Sequence, residues 1–141
     1  MVPILQLLSC LSGFADIDHA QKLAQQAAYP SLEGPEPFIL RQSFLRGNLE
    51  PGAEKVVNQQ LFNKNVYQFW FAVADPGTEV LLNIYDKDGK LLKAKTVTYG
   101  SQKNVTSLVF APEKSGTYYL RLAFGKNSDT PQDWALIYAY R

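Results

Sequence analysis

From residue 65 onward, apolar and polar side chains alternate with a period of two, broken at intervals by Gly, Pro and Asp-Gly. That pattern marks half-buried antiparallel strands joined by turns. The clearest run is Asn65 to Ala74. There Tyr67, Phe69, Phe71 and Val73 alternate with Gln68, Trp70 and Ala72, and Asp75-Pro76-Gly77 ends it. Thr78 to Tyr85 follows, with Val80, Leu82 and Ile84 on one face. Asp86-Lys87-Asp88-Gly89-Lys90 predicts a hairpin turn, because Asp-Gly supplies the positive φ that tight turns require. Leu91 to Tyr99 reads as the return strand. Val105 to Ala111 and Thr117 to Phe124 read as a further pair about Pro112 and Gly116, and Trp134 to Tyr140 as the last strand. Phe38 to Arg46 and Val56 to Leu61 are weaker strands upstream, near the turn signals Gly47-Asn48 and Pro51-Gly52. About eight strands at this spacing predict an all-β fold: an antiparallel, jelly-roll-like β-sandwich with a short N-terminal helix.

Alternation also assigns faces. Tyr67, Phe69, Phe71, Val80, Leu82, Ile84, Leu120, Leu122 and Leu136 belong to the core. Trp70, Tyr119, Arg121 and Ile137 point the other way. An outward Trp70 with Tyr119 and Arg121 is a candidate platform for a sugar ring or a partner's apolar side chain. The competing reading has an N-terminal helix covering Trp70 through Leu23 or Ala27.

The N-terminal region divides in two. Residues 1–15 carry no charged side chain and are too short for a bilayer span, which needs roughly 20 apolar residues. They read as the apolar region of a secretory signal, with Gly13-Phe14-Ala15 as a small-residue cleavage site. Leu7-Leu8-Ser9-Cys10 resembles a bacterial lipobox, and lipidation at Cys10 is the lesser reading. A segment packed on the domain is the alternative to both. Asp16 to Ala28 predicts a helix with Asp16 or Asp18 as N-cap and Ala20, Leu23, Ala24 and Ala27 on one stripe. Tyr29-Pro30 should stop it, and Gly34, Pro35 and Pro37 then make residues 31–37 an extended linker. The division is therefore 1–15 signal-like, 16–37 helix and linker, and 38–141 sandwich.

Composition narrows the function classes. A chain of 141 residues that is 46% hydrophobic and 19% charged is one globular domain with a core of its own. A net charge of +1 gives no electrostatic footprint for nucleic acid. Lys87, Lys90, Lys93, Lys95 and Lys103 cluster near the Asp-Gly turn, where lysines solvate a sheet edge. A single cysteine excludes an internal disulfide and a cysteine-rich zinc site. His19 is the one histidine, so no nucleophile–base set is nominated, and the reading is non-catalytic with no cofactor. Asp86 and Asp88 begin a sequence like a calcium loop, but Lys90 and Lys93 stand where further oxygen ligands belong, and a turn accounts for them.

Three motifs in order carry a family resemblance. Val66-Tyr67-Gln68-Phe69-Trp70-Phe71-Ala72-Val73 with Pro76-Gly77-Thr78-Glu79-Val80, then Ile84-Tyr85-Asp86-Lys87-Asp88-Gly89-Lys90-Leu91, then Phe110-Ala111-Pro112 through Gly116-Thr117-Tyr118-Tyr119-Leu120-Arg121-Leu122 resemble bacterial pre-peptidase C-terminal domains. Trp134-Ala135-Leu136-Ile137 matches their close loosely. The resemblance spans about residues 40–141. It implies a secreted β-sandwich without catalytic residues, of the kind appended to exported enzymes. The expectation is an exported, periplasmic or secreted accessory module that binds a protein or an envelope glycan. The alternative is a carbohydrate-binding module using Trp70 and Tyr119.

Overall fold

The computed structural model describes residues 2–41, 45–125 and 130–141, with side chains described from residue 18 onward. A helix, α1 (Val2–Glu33), precedes nine strands: β1 (Ile39–Leu40), β2 (Leu45–Leu49), β3 (Glu54–Leu61), β4 (Tyr67–Val73), β5 (Val80–Tyr85), β6 (Lys95–Tyr99), β7 (Gln102–Phe110), β8 (Gly116–Phe124) and β9 (Gln132–Tyr140). They form two antiparallel sheets. One runs β1-β9-β4-β7-β6, with β2 also on β9; the other runs β3-β8-β5. The all-β sandwich expected from the alternation is the fold.

The core lies between the sheets. Phe69, Phe71, Val73, Ile84, Leu120 and Leu122 are buried there, as are Tyr67, Val80, Leu82, Tyr118 and Leu136. Every core position assigned by alternation is in this set. Phe69 stacks on Tyr138 at 5.3 Å, and Phe71 meets Trp134 edge-on at 6.3 Å, so the ring geometry is one that aromatic pairs favour.

Strand pairing departs from the hairpin expectation. The turn at Asp86–Lys90 is real: Gly89 sits at φ +80°, and Gly89 N–H donates to the Asp86 carbonyl at 3.0 Å. The return strand is not continuous, however. Tyr85 bridges Leu91 and Leu92 N–H donates to the Ile84 carbonyl, after which the chain leaves this sheet and begins β6 in the other. Nor do β7 and β8 pair with each other, because Ala111–Ser115 carries the chain across the sandwich. Period-two alternation is blind to which sheet a strand joins, so adjacency in sequence was a poor guide here. The first expected strand is realised as β1 and β2 on the same edge of β9; residues 42–44 between them lie outside the described residues.

The helix is also longer than the sequence signals indicate. It begins at Val2, so neither Asp16 nor Asp18 is an N-cap, and it continues through Pro30 to Glu33. Pro30 has no N–H to give to the preceding turn, an interior cost of about 3 kcal/mol. Tertiary contacts hold the final turn against that cost. Ser31 Oγ donates to Gln68 Oε1 at 2.9 Å, the Ser31 carbonyl accepts from Phe38 N–H, and Leu32 packs against the buried cluster that includes Phe38 and Trp70. Among the described residues no helix is long and apolar enough to cross a membrane.

Candidate functional site

Each sheet has an outer face, and the two differ. On the six-stranded sheet, Gln68, Trp70 and Ala72 of β4 point away from the core, yet all seven residues of β4 are buried. The cover is α1. Ala24 and Ala28 are buried against Trp70, Ala72, Val105, Ile137 and Ala139, with Leu23 and Ala27 at the margin. Alanines four residues apart let the helix lie close to the sheet. Trp70 is 0% exposed, and its indole N–H donates to the Tyr99 hydroxyl at 3.0 Å. Gln68 links the layers by accepting from Ser31 and donating to Ser107 Oγ at 3.0 Å. The proposed platform of Trp70 with Tyr119 is therefore not formed. Helix α1 occupies the space a ligand would need, and Tyr119 lies on the other sheet.

Among the described residues nothing covers the outer face of the three-stranded sheet. Its register sets Tyr119 of β8 between Asn58 of β3 and Tyr85 of β5, and Arg121 between Val56 and Asn83. Glu54, Ala123 and Leu81 make the next row. Neighbours in such rows stand close enough for side-chain contact. Tyr119, Arg121, Tyr85 and Asn83 are half-buried, while Val56 and Leu81 are exposed. Arg121 donates to the Glu54 carboxylate. That hydrogen bond holds the Glu54 carboxyl below its usual range, and it raises the Arg121 guanidinium, with Tyr85 adding to the effect. The face is thus a flat tyrosine–arginine–amide surface whose central cation is paired within the chain. Tyr119 and Arg121 were legible as outward residues. Tyr85 was not, because its place beside Tyr119 depends on β5 pairing with β8 rather than with the chain that follows it.

The other sequence candidates resolve more simply. Asp86 Oδ1 accepts from Asp88 N–H and Lys90 N–H, each at 2.9 Å, so this carboxylate shapes the turn. Asp88 is exposed at the tip, and among the described residues no group of three or more His, Cys, Asp or Glu is placed to hold a metal ion. The lysines at 87, 90, 93, 95 and 103 are exposed. His19 is exposed on α1 beside a small recess formed with Asp75 and Asp133. Asp75 there binds Gly77 N–H and the Thr78 hydroxyl, both at 3.0 Å, and closes its own turn.

No protein-family model matches this chain, and no curated protein matches it. Among solved structures it is similar to the crystal structure of the Bacillus licheniformis lipase BlEst2 in propeptide form, at 12% identity and a TM-score of 0.48. The match covers 77% of this chain and 23% of that one, so this chain spans less than a quarter of the length of that protein.

Proposed function

We propose that this chain is a non-catalytic binding or accessory module, exported to the periplasm or beyond, that engages a protein or cell-envelope component through the open face of its three-stranded sheet. The observation that carries the reading is the contrast between the outer faces. Among the described residues the chain supplies a helix for one and leaves Tyr119, Tyr85 and Arg121 only half-buried on the other. Tyrosine and arginine on a flat, nearly neutral surface are the residue types that interface centres favour. The resemblance to pre-peptidase C-terminal domains supports the accessory role, and the charge-free N-terminal segment supports export. A photo-crosslinking residue in place of Tyr119 tests the reading in cells. Adducts at this position that are absent when the same group replaces Thr98, on the opposite sheet, are expected. Equal labelling at both positions, or none at either, would sink it.

A further inference from the structure

A cleft of about 380 Å³ opens along the side of the sandwich, where β3 faces β9. Tyr67, Tyr138 and Tyr140 form its aromatic wall. The rings are fixed: Tyr138 stacks on Phe69, and Tyr67 and Tyr140 lie 6.4 Å apart at 38°. The hydroxyls of Tyr138 and Tyr67 are fixed as well. Tyr138 Oη accepts from Gln59 Nε2 at 2.9 Å, and Tyr67 Oη accepts from Phe62 N–H at 2.9 Å and Asn65 Nδ2 at 3.2 Å. That main-chain bond holds Phe62 at the lip, 54% exposed.

The polar groups here are not consumed by the fold. Gln59 and Asn65 each donate inward, which leaves the amide oxygens Oε1 and Oδ1 without a hydrogen-bond partner among the described residues. The Arg41 guanidinium stands 5.9 Å over the Tyr140 ring and is likewise without a hydrogen-bond partner among the described residues. Among the described residues no carboxylate lines the cleft.

These features restrict the occupant. A wholly apolar ligand leaves the amides and the guanidinium unmatched. A cation meets Arg41 and no compensating carboxylate. A saccharide ring offers an apolar C–H face for Tyr138, Tyr140 and Phe62, and a rim of hydroxyls that both donate and accept. The volume is at the small end for a ligand site and suits one or two rings. We propose that this cleft is a saccharide-binding site, with Gln59 and Asn65 accepting from ring hydroxyls and Arg41 favouring a sugar that bears a carboxylate. The site is separate from the open face that carries Tyr119 and goes beyond the role assigned to that face.

Ligand-observed NMR titration of the full chain with cellobiose, di-N-acetylchitobiose and digalacturonate tests this. Saturable binding is expected, tightest for digalacturonate. Phe62→Ala and Arg41→Ala should each weaken it by about tenfold or more, with Tm unchanged because both side chains are exposed. Phe62→Leu, which keeps an apolar side chain and removes the ring, is a second variant with the same expected loss. Arg41→Ala should also abolish the preference for the acidic sugar, and Tyr119→Ala should leave binding intact. Absence of saturable binding to all three sugars overturns the proposal. So does binding that survives the Phe62→Leu and Arg41→Ala changes together, or binding lost in Tyr119→Ala.

Discussion

Trp70 on β4 and Tyr119 on β8 each point away from the sandwich core, but only Trp70 is covered. The difference does not lie in the strands, which alternate alike. It lies in what else the chain brings. Helix α1 presents Ala24 and Ala28, both buried, and these small side chains let it settle on a surface built from Trp70, Ala72, Ile137 and Ala139. The polar atoms caught beneath it are matched: Gln68 bridges Ser31 and Ser107, and the Trp70 indole reaches Tyr99. A contact that satisfies its buried polar groups is an integral layer of the fold. Among the described residues the face of β3, β8 and β5 has no such layer, and its aromatic and charged residues stay partly exposed.

The most severe way to break this comparison is to remove the layer. Deleting residues 1–37 should expose Trp70, red-shift tryptophan emission and cause self-association through the bared sheet, since a contiguous apolar patch of this kind is rarely left uncovered. The other tryptophan, Trp134, is buried on the core side and should contribute little to the change. A truncated domain that stays monomeric with unchanged emission would mean that the helix is dispensable cover.

Single substitutions sharpen the contrast at equal chemistry. Trp70→Ala should cost about 3–5 kcal/mol, as should Phe69→Ala on the core side, because each leaves a large cavity. Tyr119→Ala should cost no more than about 1 kcal/mol, since its ring is half in solvent. Urea unfolding measures all three. Comparable losses at Trp70 and Tyr119 would show that the open face is structural after all.

The buried polar seam comes next. Gln68→Leu keeps the side-chain bulk but strips Ser107 and Ser31 of their common partner. Ser107 is fully buried, so the expected loss is about 1–3 kcal/mol. A neutral result in urea unfolding would indicate that the helix docks by apolar contact alone.

These contrasts also explain what the sequence made legible. The strands, their faces and the core followed from alternation, because burying one side of a sheet imposes a period of two regardless of partner. The cover over Trp70 was foreseeable from the stripe Ala20, Leu23, Ala24 and Ala27, although Ala28, outside that stripe, is buried with Ala24 while Leu23 and Ala27 lie at the margin. Sheet membership was not. The Asp-Gly turn suggested a full hairpin, yet the chain keeps two residues of it and then crosses to the other sheet at Lys95. The extension of α1 through Pro30 was hidden for a related reason. A proline reads as a stop locally, while the Ser31–Gln68 bond that sustains the last turn joins residues far apart in the chain. The side cleft was equally hidden. Gln59, Tyr138 and Arg41 meet only once β3 faces β9, and nothing in their local sequence signals it.

The smallest expected effect is on the open face and concerns pH. The Arg121 hydrogen bond lowers the Glu54 carboxyl pKa in the folded state. Unfolded, Glu54 returns to the ordinary glutamate value. Its folded pKa being the lower of the two, the pair's contribution is fully present above the unfolded value and is lost as pH falls through the folded one. Glu54 is exposed and Arg121 only half-buried, so the contribution is modest and weakened by salt. The stability gap between wild type and Glu54→Gln should therefore be constant at neutral pH, narrow in the acid range and shrink with added salt. Gln68→Leu should show no such dependence, because the groups it disturbs on the covered face are neutral. Chemical denaturation of both variants across pH measures this. A pH-independent gap for Glu54→Gln, or a pH-dependent one for Gln68→Leu, would mean that the two faces are not divided into a charged, adjustable surface and a neutral, fixed one.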